Sequence, residues 1–342
     1  MINQNSQYMQ LAIDEAWKYQ LLTYPNPAVG ATVVKNNKLL SVAAHKEAGF
    51  PHAEVLALKL AYLTQYPNSL LKDLESSQEI HSYLRENHNG FFNDCEIFVT
   101  LEPCNHIGKT PACAMLLESI KIKKVTIGTL DPNKNASGGK ERLLKANIKV
   151  EVGLLQKETD KLLYPFLKYQ SGHFCFFKIA MREDGTIDGG YITTQKSLDL
   201  VHEIRTKIDL MVMGGNTIRT DRPTLDARFS KSKKAPNILI YSKSDSFDTT
   251  IPLFSIKNRK VSITSDLKRL NEYQFLMIEG GYSLLTLFEE KIDYLMVFLS
   301  HKDEKSNKVD FKKLGFTIEY SYFLNQFDEI LFLKKVNGNE LG

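Results

Sequence analysis

The stretch "FPHAEVLALKL", residues 50–60, places a histidine and a carboxylate at the start of an apolar helix. His52 and Glu54 are two residues apart, and a run rich in Ala, Leu and Val follows them. Taken alone, the pair fits either polar residues at a solvated helix start or a metal ligand beside a proton carrier. The choice depends on a second stretch, "TLEPCNHIGKTPAC", at residues 100–113.

The second stretch supplies two cysteines. Cys104 follows a predicted strand and Cys113 opens a predicted helix, positions where backbone dipoles favour an anionic sulfur. A catalytic zinc ion takes three protein ligands and keeps one position for water. His52, Cys104 and Cys113 would supply one imidazole and two thiolates, which balance the charge of the ion. Glu54 would then carry the proton from water to a leaving amino group, as the non-ligand glutamate of zinc deaminases does.

The histidine and cysteines could also be buried core residues, but their combined pattern favours a zinc site. Zinc deaminases usually have a C-x2-C spacing, whereas this chain has C-x8-C between Cys104 and Cys113. Cys95 and Cys175 are predicted to be packing residues, because a fourth sulfur ligand would leave no position for water.

The bulk composition predicts two domains, and its small excess of positive charge fits a small anionic substrate as well as it fits a nucleic acid. The 342 residues exceed one typical core, and the formal charge of +4 is too diffuse to indicate a nucleic-acid face. No apolar run is long enough for a bilayer, and "MINQNSQYMQ" lacks the features of a signal peptide. We therefore expect a cytoplasmic protein with no membrane partner, where clustered cysteines more often bind metal than form disulfides. The sequence leaves open whether the chain forms a homo-oligomer.

Hydrophobic periodicity predicts an α/β sandwich around one sheet in residues 1–153. It begins with a helix over 7–20 and a hairpin turned by Asn36 and Asn37. Residues 64–93 are polar, and we expect a surface insertion with one helical pattern near Leu70–Leu74.

Residues 154–173 predict a connecting helix and linker, and residues 174–342 a second α/β domain. Strands are predicted at 174–180, 209–213, 237–242, 260–264, 274–278 and 293–299, and helices at 197–206 and 282–290. This half has no GxGxxG, but two strands run into Gly-Gly turns, in "MVMGGNTIRTDRPTL" (211–225) and "LMIEGGYSLLTLFEE" (276–290). Two such turns in a βαβ series indicate a site where the backbone approaches a dinucleotide.

These motifs resemble the bifunctional riboflavin-biosynthesis deaminase/reductase family. "EPCNHIGKTPAC" is similar to its extended cysteine loop, and "PNPAVG" at 25–30, with His45 and Gly49, matches the part before the His-Ala-Glu motif. "KIAMREDG" and "IEGGYSLL" look like its reductase half. The resemblance covers nearly the whole chain, apart from 64–93 and about the last thirty residues.

The resemblance implies a cytidine-deaminase-like α/β/α sandwich followed by a dihydrofolate-reductase-like α/β domain. It implies zinc-dependent hydrolytic deamination of 2,5-diamino-6-(5-phosphoribosylamino)pyrimidin-4-one, then NADPH-dependent reduction of the ribosyl group to ribityl. The implied cofactors are Zn2+ and NADPH, and the implied partner is a small pyrimidine nucleotide.

The resemblance also implies site residues. In the deaminase half the substrate contacts would be Asn26, His45, His106 and Lys109. In the reductase half they would be Arg205, Leu225, Arg228 and Glu279. The cofactor contacts would be Ala180, Tyr191, Thr217, Asp221, Ser242, Gly281, Tyr282, Ser283, Leu284, Leu285, Thr286 and Leu287.

Some of these residues also fit structural roles. Lys109 could be a solvated loop lysine and Asn26 a turn residue between prolines. Arg205 could be the exposed end of a helix and Glu279 a solvated strand end. Lys178 is a candidate general acid by its position, and so is Asp184.

The chain departs from the family at a few positions. Ala112 replaces a common proline, Tyr191 a frequent tryptophan, and Arg222 a common second aspartate, and the loop between residues 185 and 191 is short. The change at Ala112 bears only on the stiffness of the loop and alters neither cysteine ligand. The other changes bear on cofactor affinity or substrate pose, and they leave the Gly-Gly turn, the arginines and Glu279 in place.

Two other functions are open from the sequence. One is a nucleic-acid base deaminase with a C-terminal recognition module, which would need a basic face with exposed aromatics. The other is a structural zinc domain fused to a nucleotide sensor, which would need a closed four-ligand site.

Overall fold

Asn36 and Asn37 turn the chain between the first two strands. β1 (Gly30–Lys35) and β2 (Lys38–Ala44) pair antiparallel, and the two asparagines have φ angles of 49° and 61°, as a tight hairpin requires. The hairpin prediction is confirmed. The structure is a computed structural model that describes residues 3–106, 108, 110–133, 137–302 and 308–336.

The chain divides into two units, Met1–Phe166 and Leu167–Gly342. The first unit has one sheet in the order β2-β1-β3-β4-β5, with β3 (Cys95–Leu101), β4 (Lys124–Thr129) and β5 (Lys149–Val152) parallel to one another. Its helices are α1 (Gln4–Trp17), α2 (Ala53–Gln65), α3 (Ser77–Asn87), α4 (Cys113–Ser119), α5 (Gly139–Lys145) and α6 (Gln156–Gln170), within which the division between the units falls.

Helices cover both faces of this sheet. Alternate residues of β1 and β3, such as Val33 and Ile97, share a hydrophobic core with α2, α3 and α4. Phe98 points to the opposite face, where its ring lies 5.4 Å from that of Tyr8 in α1. The predicted α/β/α sandwich is confirmed.

The expectation that residues 64–93 lie on the surface is wrong for several of them. Leu71, Ile80, Leu84 and Phe92 are fully buried in the same core as α2 and α4. Most residues of α3 are polar, and only one narrow face of the helix, with Ile80 and Leu84, enters the core. The Oγ of Ser76 accepts a hydrogen bond from the Glu79 N–H, an N-cap that the sequence analysis missed.

The second unit has one sheet in the order β12-β13-β11-β6-β10-β7-β8-β9. The six strands from β11 to β9 are parallel, and the hairpin of β12 and β13 adds an antiparallel edge. The strands are β6 (Phe174–Arg182), β7 (Leu210–Gly214), β8 (Asn237–Tyr241), β9 (Val261–Thr264), β10 (Phe275–Glu279), β11 (Tyr294–Ser300), β12 (Phe316–Phe323) and β13 (Asp328–Lys335). The helices include α7 (Gln195–Arg205), α8 (Gly215–Asp221) and α9 (Tyr282–Phe288).

The six predicted strands of this unit are confirmed within two residues at each end. Neither α8 nor the β12–β13 hairpin was predicted from the sequence. The seven residues of α8 are too few for a periodic signal, and β12 is half-buried along most of its length. Across the described ranges, no helix has both the length and the apolar character that crossing a bilayer requires.

Candidate active sites

Three predicted zinc ligands meet in the first unit. His52 stands at the N-cap of α2, Cys104 follows β3, and Cys113 is the first residue of α4. The Nδ1 of His52 lies 3.6 Å from the Cys104 sulfur and 3.4 Å from the Cys113 sulfur, and all three ligand atoms lie within 4.8 Å of one another. Ligands at zinc-binding distances around a tetrahedral ion stand roughly 3.5 Å apart. The three side chains are therefore close enough together to bind one zinc ion.

The two thiols are electrostatically different. A hydrogen bond from the Cys113 thiol, together with His52, lowers the pKa of Cys104 to about 4. The pKa of Cys113 is raised by its hydrogen bond to Cys104 and by burial. Cys104 therefore ionises readily, and a bound divalent cation would favour ionisation of Cys113 as well.

Glu54 lies in the first turn of α2 and is 4% exposed. Burial raises the pKa of this carboxyl group from 4.5 to about 7, although the positive charge of His52 opposes the rise. A carboxyl group with a pKa near neutral can both accept and donate a proton at physiological pH. The carboxyl group of Glu54 can therefore exchange a proton near neutral pH.

Asn26 and His45 form a hydrogen-bonded pair next to His52. The Nε2 of His45 lies 3.0 Å from Asn26 Nδ2, and its Nδ1 lies 3.1 Å from the carbonyl oxygen of Pro51. Burial lowers the pKa of His45 to about 4, so the ring is neutral at pH 7. The carbonyl can only accept, so Nδ1 carries the proton and Nε2 accepts from the Asn26 amide. The Oδ1 of Asn26 remains available to a ligand.

Two further residues, His106 and Lys109, were predicted for this site, and Cys95 was predicted to be a packing residue outside it. His106 is exposed on the segment between the two cysteines. Lys109 lies outside the described residues. Cys95 is buried, its sulfur 3.5 Å from the Phe91 carbonyl oxygen, and burial raises its pKa to about 11, so it remains a neutral thiol.

Three residues near the ligands were missed by the sequence analysis. The Oγ1 of Thr110 lies 3.4 Å from the Nε2 of His52. His81 of α3 is 2% exposed, and its Nε2 has no partner among the described residues. Burial lowers the pKa of His81 to about 4, and the charges of Cys104 and His52 have smaller effects. The signal for His81 lay in the apolar stripe of α3, which places it next to Ile80.

Glu102, two residues before Cys104, is the third residue that was not predicted, and it connects this part of the chain to the start of α5. Its carboxylate accepts hydrogen bonds from the N–H groups of Asp131, Gly138 and Lys140. A Cβ on Gly139 would lie 1.9 Å from the carbonyl oxygen of Pro103, so this position requires glycine. The start of α5 is thus held against the residue before Cys104.

The two Gly-Gly turns of the second unit lie at adjacent strand ends. β7 and β10 are neighbours, and the chain leaves β7 toward β8 but leaves β10 toward β11 on the other side. Such a reversal marks the crevice where open α/β sheets bind ligands. Leu284 of α9 lies beside both turns, because a Cβ on Gly214 or Gly280 would be 3.7 Å or 2.7 Å from it.

Arg205 and Glu279 are brought together at this crevice. The carboxylate of Glu279 lies 3.1 Å from Arg205 Nη2 and 2.8 Å from Lys178 Nζ. The interpretations of Arg205 as an exposed helix end and Glu279 as a solvated strand end are wrong, because their side chains are 11% and 19% exposed. Burial alone raises the pKa of Glu279, but Lys178 and Arg205 outweigh it and lower the pKa to about 2.

The other two predicted substrate residues lie close by. Arg205 Nη1 donates to the carbonyl oxygen of Asp226, and the Nε of Arg228 bonds the Asp226 carboxylate at 2.8 Å. Leu225 is buried and has a φ of 54°, and its carbonyl oxygen accepts from Arg259. The predicted substrate residues of this half therefore form one neighbourhood.

The predicted cofactor residues are more dispersed. Ser242 lies at the end of β8 against Gly215, where an added Cβ would be 2.8 Å from it, and Thr217 is half-buried near Gly214. Ala180 is half-buried in β6, whereas Tyr191 is 85% exposed and Asp221 is exposed at the end of α8.

The segment from Gly281 to Leu287, predicted to contact the cofactor, consists of the N-cap and most of helix α9, which begins at the crevice. The hydroxyl of Tyr282 donates to the carbonyl oxygen of Gly185, and a Cβ on Gly281 would lie 2.9 Å from Ile187, so the segment after β6 packs against this turn. Leu285 packs in the hydrophobic core, so only its backbone can face a ligand. Gly281, Tyr282 and Leu284 are half-buried, and Ser283, Thr286 and Leu287 are exposed.

Comparisons with known proteins agree with both halves of the chain. Residues 2–129 match a family model described as the cytidine and deoxycytidylate deaminase zinc-binding region. The riboflavin biosynthesis protein RibD of Aquifex aeolicus (strain VF5) is 32% identical over 334 residues, which covers 86% of this chain and 86% of that protein. RibD of Buchnera aphidicola (subsp. Baizongia pistaciae, strain Bp) is 30% identical over 318 residues and covers 90% of this chain and 76% of that protein.

Two similar solved structures extend over both units. A diaminohydroxyphosphoribosylaminopyrimidine deaminase/5-amino-6-(5-phosphoribosylamino)uracil reductase from Thermotoga maritima is 25% identical, with a TM-score of 0.60 and coverage of 97% of this chain and 99% of that one. RibD of Acinetobacter baumannii is also 25% identical, with a TM-score of 0.62 and coverage of 98% and 99%. These findings do not favour a nucleic-acid base deaminase. The chain belongs to the RibD family of riboflavin biosynthesis proteins, which combine a deaminase with a reductase.

Proposed function

We propose that this chain catalyses two successive reactions on one pyrimidine nucleotide. The first replaces the 2-amino group of 2,5-diamino-6-(5-phosphoribosylamino)pyrimidin-4-one with oxygen and releases ammonia. The second reduces the ribosyl group to ribityl with NADPH. The observation that carries the proposal is the meeting of His52, Cys104 and Cys113 beside the buried carboxyl group of Glu54.

In the proposed deaminase domain, residues 1–153, the zinc ligands are His52, Cys104 and Cys113. Zinc, when bound there, makes hydroxide available near neutral pH. Two thiolates offset the charge of the ion. Glu54 accepts a proton from water and returns it to the leaving amino group, and its pKa near 7 suits both steps.

We assign pyrimidine recognition to Asn26 and His45. The neutral ring of His45 holds the Asn26 amide through Nε2, which leaves the Asn26 Oδ1 to accept from an amino group of the base. His106 and Lys109, on the segment between the cysteines, are assigned to the ring or to the ribose phosphate. The positive charge of a lysine suits a phosphate.

In the proposed reductase domain, residues 174–342, Arg205, Leu225, Arg228 and Glu279 contact the substrate. NADPH, when bound, would supply the hydride that reduces C1′ of the opened, imine form of the sugar. The guanidinium groups match the oxygens of the ribose phosphate, and the exposed side chain of Arg228 is the freer of the two. The predicted cofactor residues, from Ala180 to the turn 281–287, hold the dinucleotide along the crevice.

Lys178 is the favoured proton donor for the reduction. Its ammonium group lies at the floor of the crevice, against the Glu279 carboxylate at 2.8 Å. Asp184 is less suited, because its Oδ1 already accepts from the backbone and hydroxyl of Thr186.

We further propose a cytoplasmic location. The four cysteines are free thiols, and two of them belong to the proposed zinc site, which a reducing compartment preserves. We propose a small nucleotide as the partner and no nucleic acid.

The test is incubation of the purified protein with the diaminopyrimidine nucleotide, with and without NADPH. Without NADPH we expect ammonia and an accumulating deaminated product, and with NADPH we expect the ribityl product and consumption of the cofactor. Oxidation of NADPH without ammonia release would show that reduction does not require prior deamination. Absence of both products would refute the proposed function.

A further inference from the structure

Arg219 is an exposed arginine of α8 whose side chain reaches across to the end of β8. Its Nη2 lies 3.3 Å from the Oγ of Ser242, and 3.4 Å from the carbonyl oxygens of Ser244 and Ser246. These three contacts are long for N–H···O bonds and all involve one nitrogen. Among the described residues, Nη1 and Nε of Arg219 donate to no protein atom.

The charge of Arg219 is uncompensated in the described part of the chain, where no carboxylate lies within 4.0 Å of it. Arg222, three residues later, is the contrast. It bonds the carboxylate of Asp248 at 2.7 Å and the Oγ1 of Thr250, so its charge is already paired. Both arginines connect α8 to the segment after β8. Of the two, only Arg219 has no carboxylate partner among the described residues and keeps N–H groups that donate to none of them.

The guanidinium plane of Arg219 is held in position by an aromatic ring. Its Cζ lies 4.1 Å from the centroid of the Phe247 ring, a cation–π contact that limits its motion. A fixed guanidinium loses less freedom on binding than a mobile lysine. Lys243, beside Ser242, is also exposed, but no aromatic ring in the described chain lies over its ammonium group.

The location of Arg219 relates it to the crevice at the ends of β10 and β7. β8 is the next strand beyond β7, and Ser242 at its end packs against Gly215 of the first Gly-Gly turn. A dinucleotide that crosses the two turns and continues past β7 brings its far end to Ser242. That end carries the adenosine if the nicotinamide lies over Lys178 and Glu279.

We propose that Arg219 binds the 2′-phosphate of NADPH and determines the preference for NADPH over NADH. The N–H groups of Nη1 and Nε have no partner among the described residues and can donate to a phosphate, and Ser242 can donate its hydroxyl to the same group. This inference rests on the proposed reductase function. It adds a specificity-determining residue to that function.

The experiment measures binding directly, by calorimetry, with 2′,5′-ADP and 5′-AMP as probes beside NADPH and NADH. For Arg219→Gln we expect the affinity for 2′,5′-ADP and NADPH to fall by about tenfold or more, because a charge-assisted pair is lost. The affinity for 5′-AMP and NADH should stay within about twofold, because these ligands have no 2′-phosphate. Arg219→Lys should fall between the two, since it keeps the charge and loses the planar set of N–H donors.

Arg222→Gln is the matched control. It removes an equal charge from the same helix end, and we expect the ratio of 2′,5′-ADP to 5′-AMP affinity to be unchanged. If Arg219→Gln weakens all four ligands equally, or none of them, while the wild type binds NADPH, the inference is overturned and the reductase function stands. If the wild type binds neither dinucleotide, the reductase function is overturned and the inference with it.

Discussion

Replacing Glu279 by glutamine tests the buried ion network of the second unit. The substitution keeps the size of the side chain and removes its charge, which leaves the cations of Lys178 and Arg205 facing each other. Their side chains are 13% and 11% exposed, so water can solvate them only in part. We expect Glu279→Gln to destabilise the second unit strongly.

The magnitude follows from two independent routes. The network lowers the pKa of Glu279 from 4.5 to about 2, which at about 1.4 kcal/mol per pH unit corresponds to about 3 kcal/mol in favour of the folded, charged form. Removal of one partner from a buried ion pair typically costs about 3–5 kcal/mol. We expect the free energy of unfolding to fall by about 3 kcal/mol.

The pH dependence has a defined sign. Because the folded pKa of Glu279 lies below its unfolded value, the contribution of the carboxylate is complete above pH 4.5 and is lost as the pH falls toward 2. The stability difference between the wild type and Glu279→Gln should therefore be constant from about pH 8 to pH 5 and shrink below about pH 4.5.

The assay is urea unfolding followed by far-UV circular dichroism and by fluorescence of Trp17. Trp17 is the one tryptophan of the sequence and belongs to the first unit, so its signal separates that unit from the transition of the second. Asp248→Asn is the matched control, because it removes a carboxylate from the exposed pair with Arg222, and little change is expected. A loss of less than about 1 kcal/mol for Glu279→Gln, or a difference that grows as the pH falls, would refute the reasoning.

Three further outcomes concern the two reactions. Glu54→Gln should keep zinc, measured by metal analysis, and lose deamination by roughly a hundredfold or more, because an amide cannot move the proton; ammonia release near the wild-type rate would contradict its role. Cys104→Ser should lose zinc and deamination but still reduce supplied deaminated intermediate, and loss of both activities in a folded protein would mean that the two sites depend on each other. The double variant Ser242→Ala, Lys243→Ala should raise the KM for NADPH by about tenfold and change that for NADH little. Equal damage to both cofactors would mean that this pair supports the fold instead.

The sequence by itself was enough to predict features that depend on neighbouring residues. The hairpin follows from two adjacent asparagines that tolerate positive φ, and the start of α2 from an apolar run behind His52 and Glu54. The candidate zinc ligands were also predictable. One histidine with a glutamate two residues later, combined with two cysteines at a strand end and a helix start, is a pattern that buried core residues seldom form. The hairpin and the start of α2 each lie within one short stretch of chain, and the candidate zinc ligands lie in two, residues 50–60 and 100–113.

Only the tertiary structure decided the contacts between distant stretches. Glu279 meets Lys178 and Arg205, 101 and 74 residues away in the chain, because β10 inserts between β6 and β7. That strand order is set by how whole helices and strands pack, and no local periodicity encodes it. For the same reason His81 was hidden in a polar segment and Arg219 in a seven-residue helix, since burial beside the zinc ligands and proximity to Ser242 arise only when separate elements come together.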